Sequence, residues 1–154
     1  MISGAKEDAL ASAESDIGAL LNSRVQACRA KDIDRLMSLY SPNIVYFDVV
    51  PPLRFIGSNA VRDNFVRWFN EYDGPIGLET HDLNIAVSGD VAFAHMLHLD
   101  EGNANLSEQQ SKRGFWLRST VCCQRFNNEW LITHEHISLP VDFRTGAVLM
   151  DLVP

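Results

Sequence analysis

A chain of 154 residues, 46% of them hydrophobic, has the length of one domain and enough apolar material for a real core. Thirteen basic residues against twenty acidic ones leave a net charge of −7, which opposes binding to nucleic acid or to an anionic membrane, since both require a basic surface. No stretch is long and apolar enough to cross a bilayer, and the N-terminal MISGAKEDALASAESD carries early acids where a signal peptide needs an apolar run, so a cytoplasmic chain is expected.

From Lys6 to Ala30, Leu10, Ile17, Leu21, Val25 and Cys28 recur at helical spacing and predict a long amphipathic helix. Lys31-Asp32 interrupts the pattern. Asp32 then caps a short second helix with Ile33, Leu36, Met37 and Tyr40 on one face, which Ser41-Pro42-Asn43 ends. Ile44 to Val50 is β-branched and aromatic and reads as a strand stopped by Pro51-Pro52, with a short continuation at Arg54 to Gly57. Ser58 caps a third helix carrying Val61, Phe65, Trp68, Phe69 and Tyr72 as a heavy apolar stripe, and Gly74-Pro75 with Gly77 terminates it.

The remainder reads as β-structure. Strands are expected at Leu78–Ser88, Val91–Leu99, Gly114–Phe126 and Glu129–Leu139, with tight turns at Gly89-Asp90 and Asn127-Asn128 and a polar loop from Glu101 to Ser111. The apolar tail RTGAVLMDLVP is expected to dock on the mouth of a pocket or on a partner subunit. Three cysteines, Cys28, Cys122 and Cys123, form no C-x-x-C pattern, and adjacent strand residues face opposite ways, so reduced thiols rather than a disulfide framework are expected. The order α-α-β-α followed by a four-strand meander predicts an α+β fold in which three N-terminal helices pack on a strongly curved, largely antiparallel sheet. Such a sheet leaves a cone-shaped cavity suited to a small apolar molecule.

The segments LMSLYSPNIVYFD, FIGSNAVRDNF, GDVAFAH and EWLITHEHIS, within this layout, resemble the SnoaL-like and ketosteroid-isomerase-like branch of the NTF2-like superfamily. The resemblance runs from about residue 10 to about residue 140. It implies one domain over residues 1–154, with a core at about 6–140 and a tail at 141–154. The fold carries isomerases, dehydratases, cyclases and non-catalytic assembly modules, so it does not decide between them. In the isomerases a strand-end aspartate moves a proton beside a carbonyl while a tyrosine and a protonated aspartic acid donate to the enolate. The match places Asp48 on the base position, followed by Val49 where the isomerases carry proline. The tyrosine position falls on or near Arg24 and the acid position near Cys122, which argues against steroid isomerisation itself.

Asp48 therefore has two readings: a general base inside a low-dielectric cone, or a residue that caps a turn or pairs with Arg54 or Arg118. Tyr46 shares its strand face. Phe65 and Trp68 are candidate walls, and the resemblance puts His95 beside Leu97 in the pocket. Trp116 and Arg118 either face the cone, where Arg118 clamps an oxygen, or face outward into a dimer contact. His134 and His136, two apart on the last long strand, are expected to share a face with Trp130, Ile132 and Ser138. His134 is the candidate catalytic histidine, able to relay a proton, and His136 a candidate ligand contact; the alternative is that one is hydrogen-bonded structure and the other lines the pocket or a subunit contact. H-x-H on a strand fixes no third ligand, and neither a P-loop, a G-x-G-x-x-G nor a G-x-S-x-G occurs, so no metal and no cofactor is implied. The expectation is a small-molecule-binding domain, a homodimer through its sheet face. It isomerises, cyclises or dehydrates a small, partly apolar carbonyl compound with Asp48 as base, or else binds or assembles without catalysis.

Overall fold

The computed structural model describes residues 2–154. The first helix, α1 (Ile2–Arg29), buries Ile17, Leu21, Val25 and Cys28 along one face, as the spacing predicts, together with Ala13, while the expected Leu10 stays exposed. It begins before Lys6, and its first turns stand exposed. Asp32 caps α2 (Ile33–Met37) by accepting from the Arg35 amide at 3.1 Å. Strand β1 (Tyr40–Phe47) starts four residues earlier than the proline suggests and pairs with the short β2 (Phe55–Ile56). Gly57, at φ 85°, turns the chain into α3 (Ser58–Phe69).

Strands β3 (Gly77–Ser88), β4 (Val91–Glu101), β5 (Phe115–Phe126) and β6 (Glu129–Ser138) form the expected meander. The β5–β6 turn has Asn127 and Asn128 both at positive φ, the conformation a two-residue hairpin requires. The expected loop between β4 and β5 contains a helix, α4 (Glu108–Arg113), because Ser107 caps it by accepting from the Gln110 amide. Beyond β6 the tail turns back on itself as β7 (Val141–Asp142) and β8 (Ala147–Val148).

The sheet order is β2-β1-β6-β5-β4-β3, antiparallel except where β1 runs parallel to β6. Its concave face meets Ile17, Leu21, Cys28, Leu36, Val61, Phe65 and Phe69 of the helices in one core. No helix among the described residues is long and apolar enough to cross a membrane.

Among the described residues three register shifts interrupt the sheet, one of them in β1 between Tyr40 and Val45, and those in β3 and β6 help set which side chains enter the core. In β3 the register shifts between His81 and Asn84, at Asp82 with φ 53°. In β6, Cys122 opposes His134 while Cys123 opposes Ile132, so Thr133 is the extra residue. An extra residue reverses the in-out alternation beyond it. Trp130 and Ile132 point inward before the bulge, and Glu135 and Ile137 point inward after it. The expected common face of Trp130, Ile132, His134, His136 and Ser138 is therefore split. His134 and His136 lie on the convex side, both rings packed edge-on against Phe47 at 4.8 and 5.4 Å.

Candidate active site

Between α1, α3 and the concave sheet lies a cavity of about 100 Å³. Tyr46, Phe65, Trp68, Phe115, Leu117 and Ile137 supply its apolar wall. Tyr46 packs edge-on against Phe65 at 5.5 Å, and Phe65 leans on Trp68 at 6.3 Å, which stiffens that side. Its closed end holds Arg24, His98 and Asp100, each no more than 3% exposed. Asp48, Val49, Arg67 and Glu71 border the solvent side.

Arg24 is locked from two directions. Its Nε donates to the Tyr40 hydroxyl at 2.9 Å, and its Nη2 lies 2.5 Å from Glu135 Oε1. The Tyr40 hydroxyl in turn donates to Glu135 Oε2 at 2.5 Å, closing a ring of three side chains from α1, β1 and β6. Burial is the largest single influence and disfavours the charged guanidinium, but Glu135 together with Tyr40, Cys28 and Tyr46 outweighs it and holds the Arg24 pKa above its ordinary value. The remaining nitrogen, Nη1, is buried without a protein partner.

His98 Nδ1 lies 3.2 Å from Thr80 Oγ1, and its Nε2 is also buried and unpartnered. Burial, reinforced by the Arg24 charge, lowers its pKa to about 3, so the imidazole is neutral at physiological pH. Asp100 accepts from the Tyr72 hydroxyl. Burial raises its pKa to about 7, with the Tyr72 bond pulling the other way and Glu71 adding to the rise. At neutral pH it is thus poised between carboxylic acid and carboxylate.

Asp48 forms no ion pair with Arg54 or Arg118. Its Oδ2 accepts from Asn64 Nδ2 at 2.7 Å and its Oδ1 from the Val49 amide at 2.6 Å. Asn64 is oriented by Arg67, whose Nη2 donates to Asn64 Oδ1 at 3.1 Å while Nη1 pairs with Glu71.

Of the residues expected at the site, Asp48, Tyr46, Phe65 and Trp68 do line the cavity. The others lie on the convex face. His95 and Leu97 alternate outward on β4 where Met96 and His98 point in, so the polar group in the pocket wall is His98 and not His95. Trp116 and Arg118 alternate outward on β5, where Phe115 and Leu117 point in. Trp116 packs against His81 at 4.8 Å, and Arg118 donates to Ser138 Oγ at 3.0 Å. His134 donates Nδ1–H to the Val45 carbonyl at 2.7 Å, and His136 is exposed, so the Thr133 bulge removes both from the cavity. Asp48 faces inward and His95, His134 and His136 outward, so the aspartate does not share a site with the histidines. The tail borders a narrow cleft with Trp116 and α4 rather than the cavity mouth. Burial raises Cys28 and Cys123 to about 11 and about 12, which keeps both as unreactive thiols.

Arg24, His98, Asp100 and Glu135 were not expected in the site. Arg24 sits three residues after Leu21 and four before Cys28, on the apolar stripe of α1, a position that marks it as buried. The run Ala92, Ala94, Met96, His98, Asp100 is one strict alternation ending in two polar residues, and it too was readable. Glu135 was hidden by the bulge, which no residue of β6 announces.

Two measurements check the electrostatics. Glu135→Gln leaves Arg24 as an uncompensated buried charge and is expected to cost about 3–5 kcal/mol in urea unfolding; a loss under about 1 kcal/mol would contradict the network described. For Asp100, the folded pKa lies above the unfolded one. Its contribution is complete below pH 4 and is lost as pH rises toward about 7. Asp100→Asn should gain on the parent protein by up to about 1.4 kcal/mol per pH unit across that window, with the gap constant above it. His98, whose lowered pKa acts in the opposite sense below pH 6.5, is common to both proteins and cancels. A gap that does not vary between pH 4 and 8 would show that Asp100 does not titrate there.

The sequence model of the SnoaL-like domain matches residues 17–142. No curated protein matches the chain. Among solved structures, an NTF2-like protein of unknown function from Pseudomonas putida is 31% identical, with a TM-score of 0.84, covering 94% of this chain and 98% of its own. A provisional dehydratase of the NTF2-like family from Streptomyces avermitilis superposes with a TM-score of 0.73 at 15% identity, covering 85% of this chain and 98% of its own. A provisional scytalone dehydratase from Novosphingobium aromaticivorans also reaches 0.73, at 9% identity, over 96% and 93%. At such identities the last two show the fold alone. The chain belongs to the SnoaL-like domain family and has the NTF2-like fold.

Proposed function

We propose that the protein transfers a proton on a small, partly apolar carbonyl compound, in an isomerisation, cyclisation or dehydration. Asp48 is the base. Arg24 Nη1, the neutral form of Asp100 and, in its Nε2–H tautomer, His98 are the donors available to the oxygen on which negative charge develops, replacing the tyrosine and aspartic acid of the isomerases. Tyr46, kept protonated by burial, orients the substrate from the wall. His98 takes the place first given to His134.

The observation that carries this reading is that two residues lining the cavity beside Asp48, Arg24 and His98, each hold a buried nitrogen without a protein partner, Nη1 and Nε2. Buried donors are rarely left unmatched, so a bound oxygen is the simplest partner. The two distant dehydratase-like neighbours agree with it at the level of fold. A general base typically contributes about 10²–10⁴ in rate. Deuterium uptake from D₂O at the carbons flanking the carbonyl of cyclohexanone, followed by NMR, should be catalysed by the protein and lost with Asp48→Asn. Uptake unchanged by Asp48→Asn would eliminate the base role, and absence of uptake by either protein would leave the cavity as a non-catalytic binding site.

The convex sheet face supports a second proposal, a homodimer. Phe93 is 50% exposed there, and Leu97 and Trp116, further along the same face, are half-buried, apolar side chains of the kind an interface covers. Light scattering should find a species of twice 17.3 kDa; a species of 17.3 kDa at all concentrations rejects the dimer.

A further inference from the structure

We infer that the cavity selects a neutral carbonyl compound the size of a single ring and excludes carboxylates. The inference rests on the site proposed above and adds the substrate class.

Size comes first. The cavity measures about 100 Å³. A protein cavity of roughly 150 Å³ is filled by benzene. By that measure a single six-membered ring is already the upper limit: with its oxygen it fills the whole cavity out to the solvent side, and a fused ring would have to stand outside it.

Charge decides the rest. Arg24 offers a donor at Nη1, but its positive charge is already matched by Glu135, which touches it directly and shares its burial. Arg67, at the solvent side, is likewise occupied by Glu71. His98 is neutral, and the remaining ionisable groups around the space, Asp48 and Asp100, are acids. The site is thus rich in hydrogen-bond donors and has no spare positive charge. A carboxylate entering it would be an unmatched anion in a desolvated space already lined by carboxyl groups. An ammonium would meet the Arg24 guanidinium at the closed end, whose free group is a donor and needs an acceptor. A ketone or aldehyde oxygen satisfies that donor and brings no charge, while its hydrocarbon body meets Phe65, Trp68, Leu117 and Ile137.

The test is an NMR titration of the intact protein with probes of matched shape: cyclohexanone, methylenecyclohexane, cyclohexanecarboxylate, cyclohexylammonium and the fused-ring ketone decalone. Cyclohexanone is expected to bind with a saturable shift at the Trp68 indole N–H. The alkene, carboxylate, ammonium and fused ketone should each bind about tenfold more weakly or worse. The inference is overturned by a carboxylate or ammonium that binds as well as the ketone, by decalone binding more tightly, by shifts that map away from Trp68, or by no saturable binding of any probe. Replacing both charges together, in Arg24→Met/Glu135→Met, should erase the preference of ketone over alkene. If that variant does not fold, the ranking on the unaltered protein decides by itself. Cyclohexanone that binds in this order without deuterium uptake would end the catalytic reading and leave the selectivity standing.

Discussion

A guanidinium, a carboxylate and a phenol meet where α1, β1 and β6 converge, and the interior of the molecule is organised around them. Arg24 and Glu135 are 3% and 0% exposed, far from the water that ordinarily solvates such charges. Burial of this kind is tolerated only when the two charges are paired and their remaining hydrogen-bonding positions are filled. Tyr40 fills one on each partner, accepting from Arg24 and donating to Glu135. The ring therefore joins the first helix to the two parallel strands, and one position stays unfilled: the Nη1 amino group of Arg24, a residue that lines the cavity, has no protein partner. An apolar substitute for the pair would pack the same elements together and present no donor there.

The ring exists because of one extra residue. Without the bulge at Thr133, the strict alternation of β6 would send His134 and His136 inward and Glu135 out to solvent. With it, Glu135 lies opposite Tyr46 in register, both pointing into the core, and the histidines pack on Phe47 on the other side. The same strand thus serves the cavity and the convex face with residues that are neighbours in sequence.

Polarity is graded along the cavity. At the solvent side Asp48 is held by the Asn64 side chain and the Val49 amide, donors that orient a carboxylate without neutralising it. At the closed end Asp100 and His98 are driven toward their neutral forms by burial. The two acids of this pocket thus sit in different surroundings, Asp48 hydrogen-bonded at the solvent side and Asp100 buried at the closed end.

Much of the architecture was legible from residue pattern alone. The stripe of α1, the Asp32 cap, the aromatic face of α3, the Asn127-Asn128 turn and the alternation of β4 and β5 each depend on neighbours a few positions away, and local chemistry settles them. Asp48 and Tyr46 were readable for the same reason, as the end of an inward strand face. The rest depended on contacts between distant segments. Whether Trp116 and Arg118 or Phe115 and Leu117 enter the cone is decided by which face of the sheet the helices cover. A period of two is the same read from either side. Whether Glu135 or His134 enters is decided by a bulge whose cause lies in pairing with β5 and β1. Arg24 becomes a buried donor only because Glu135, 111 positions along the chain, arrives beside it to offset the cost of its desolvation.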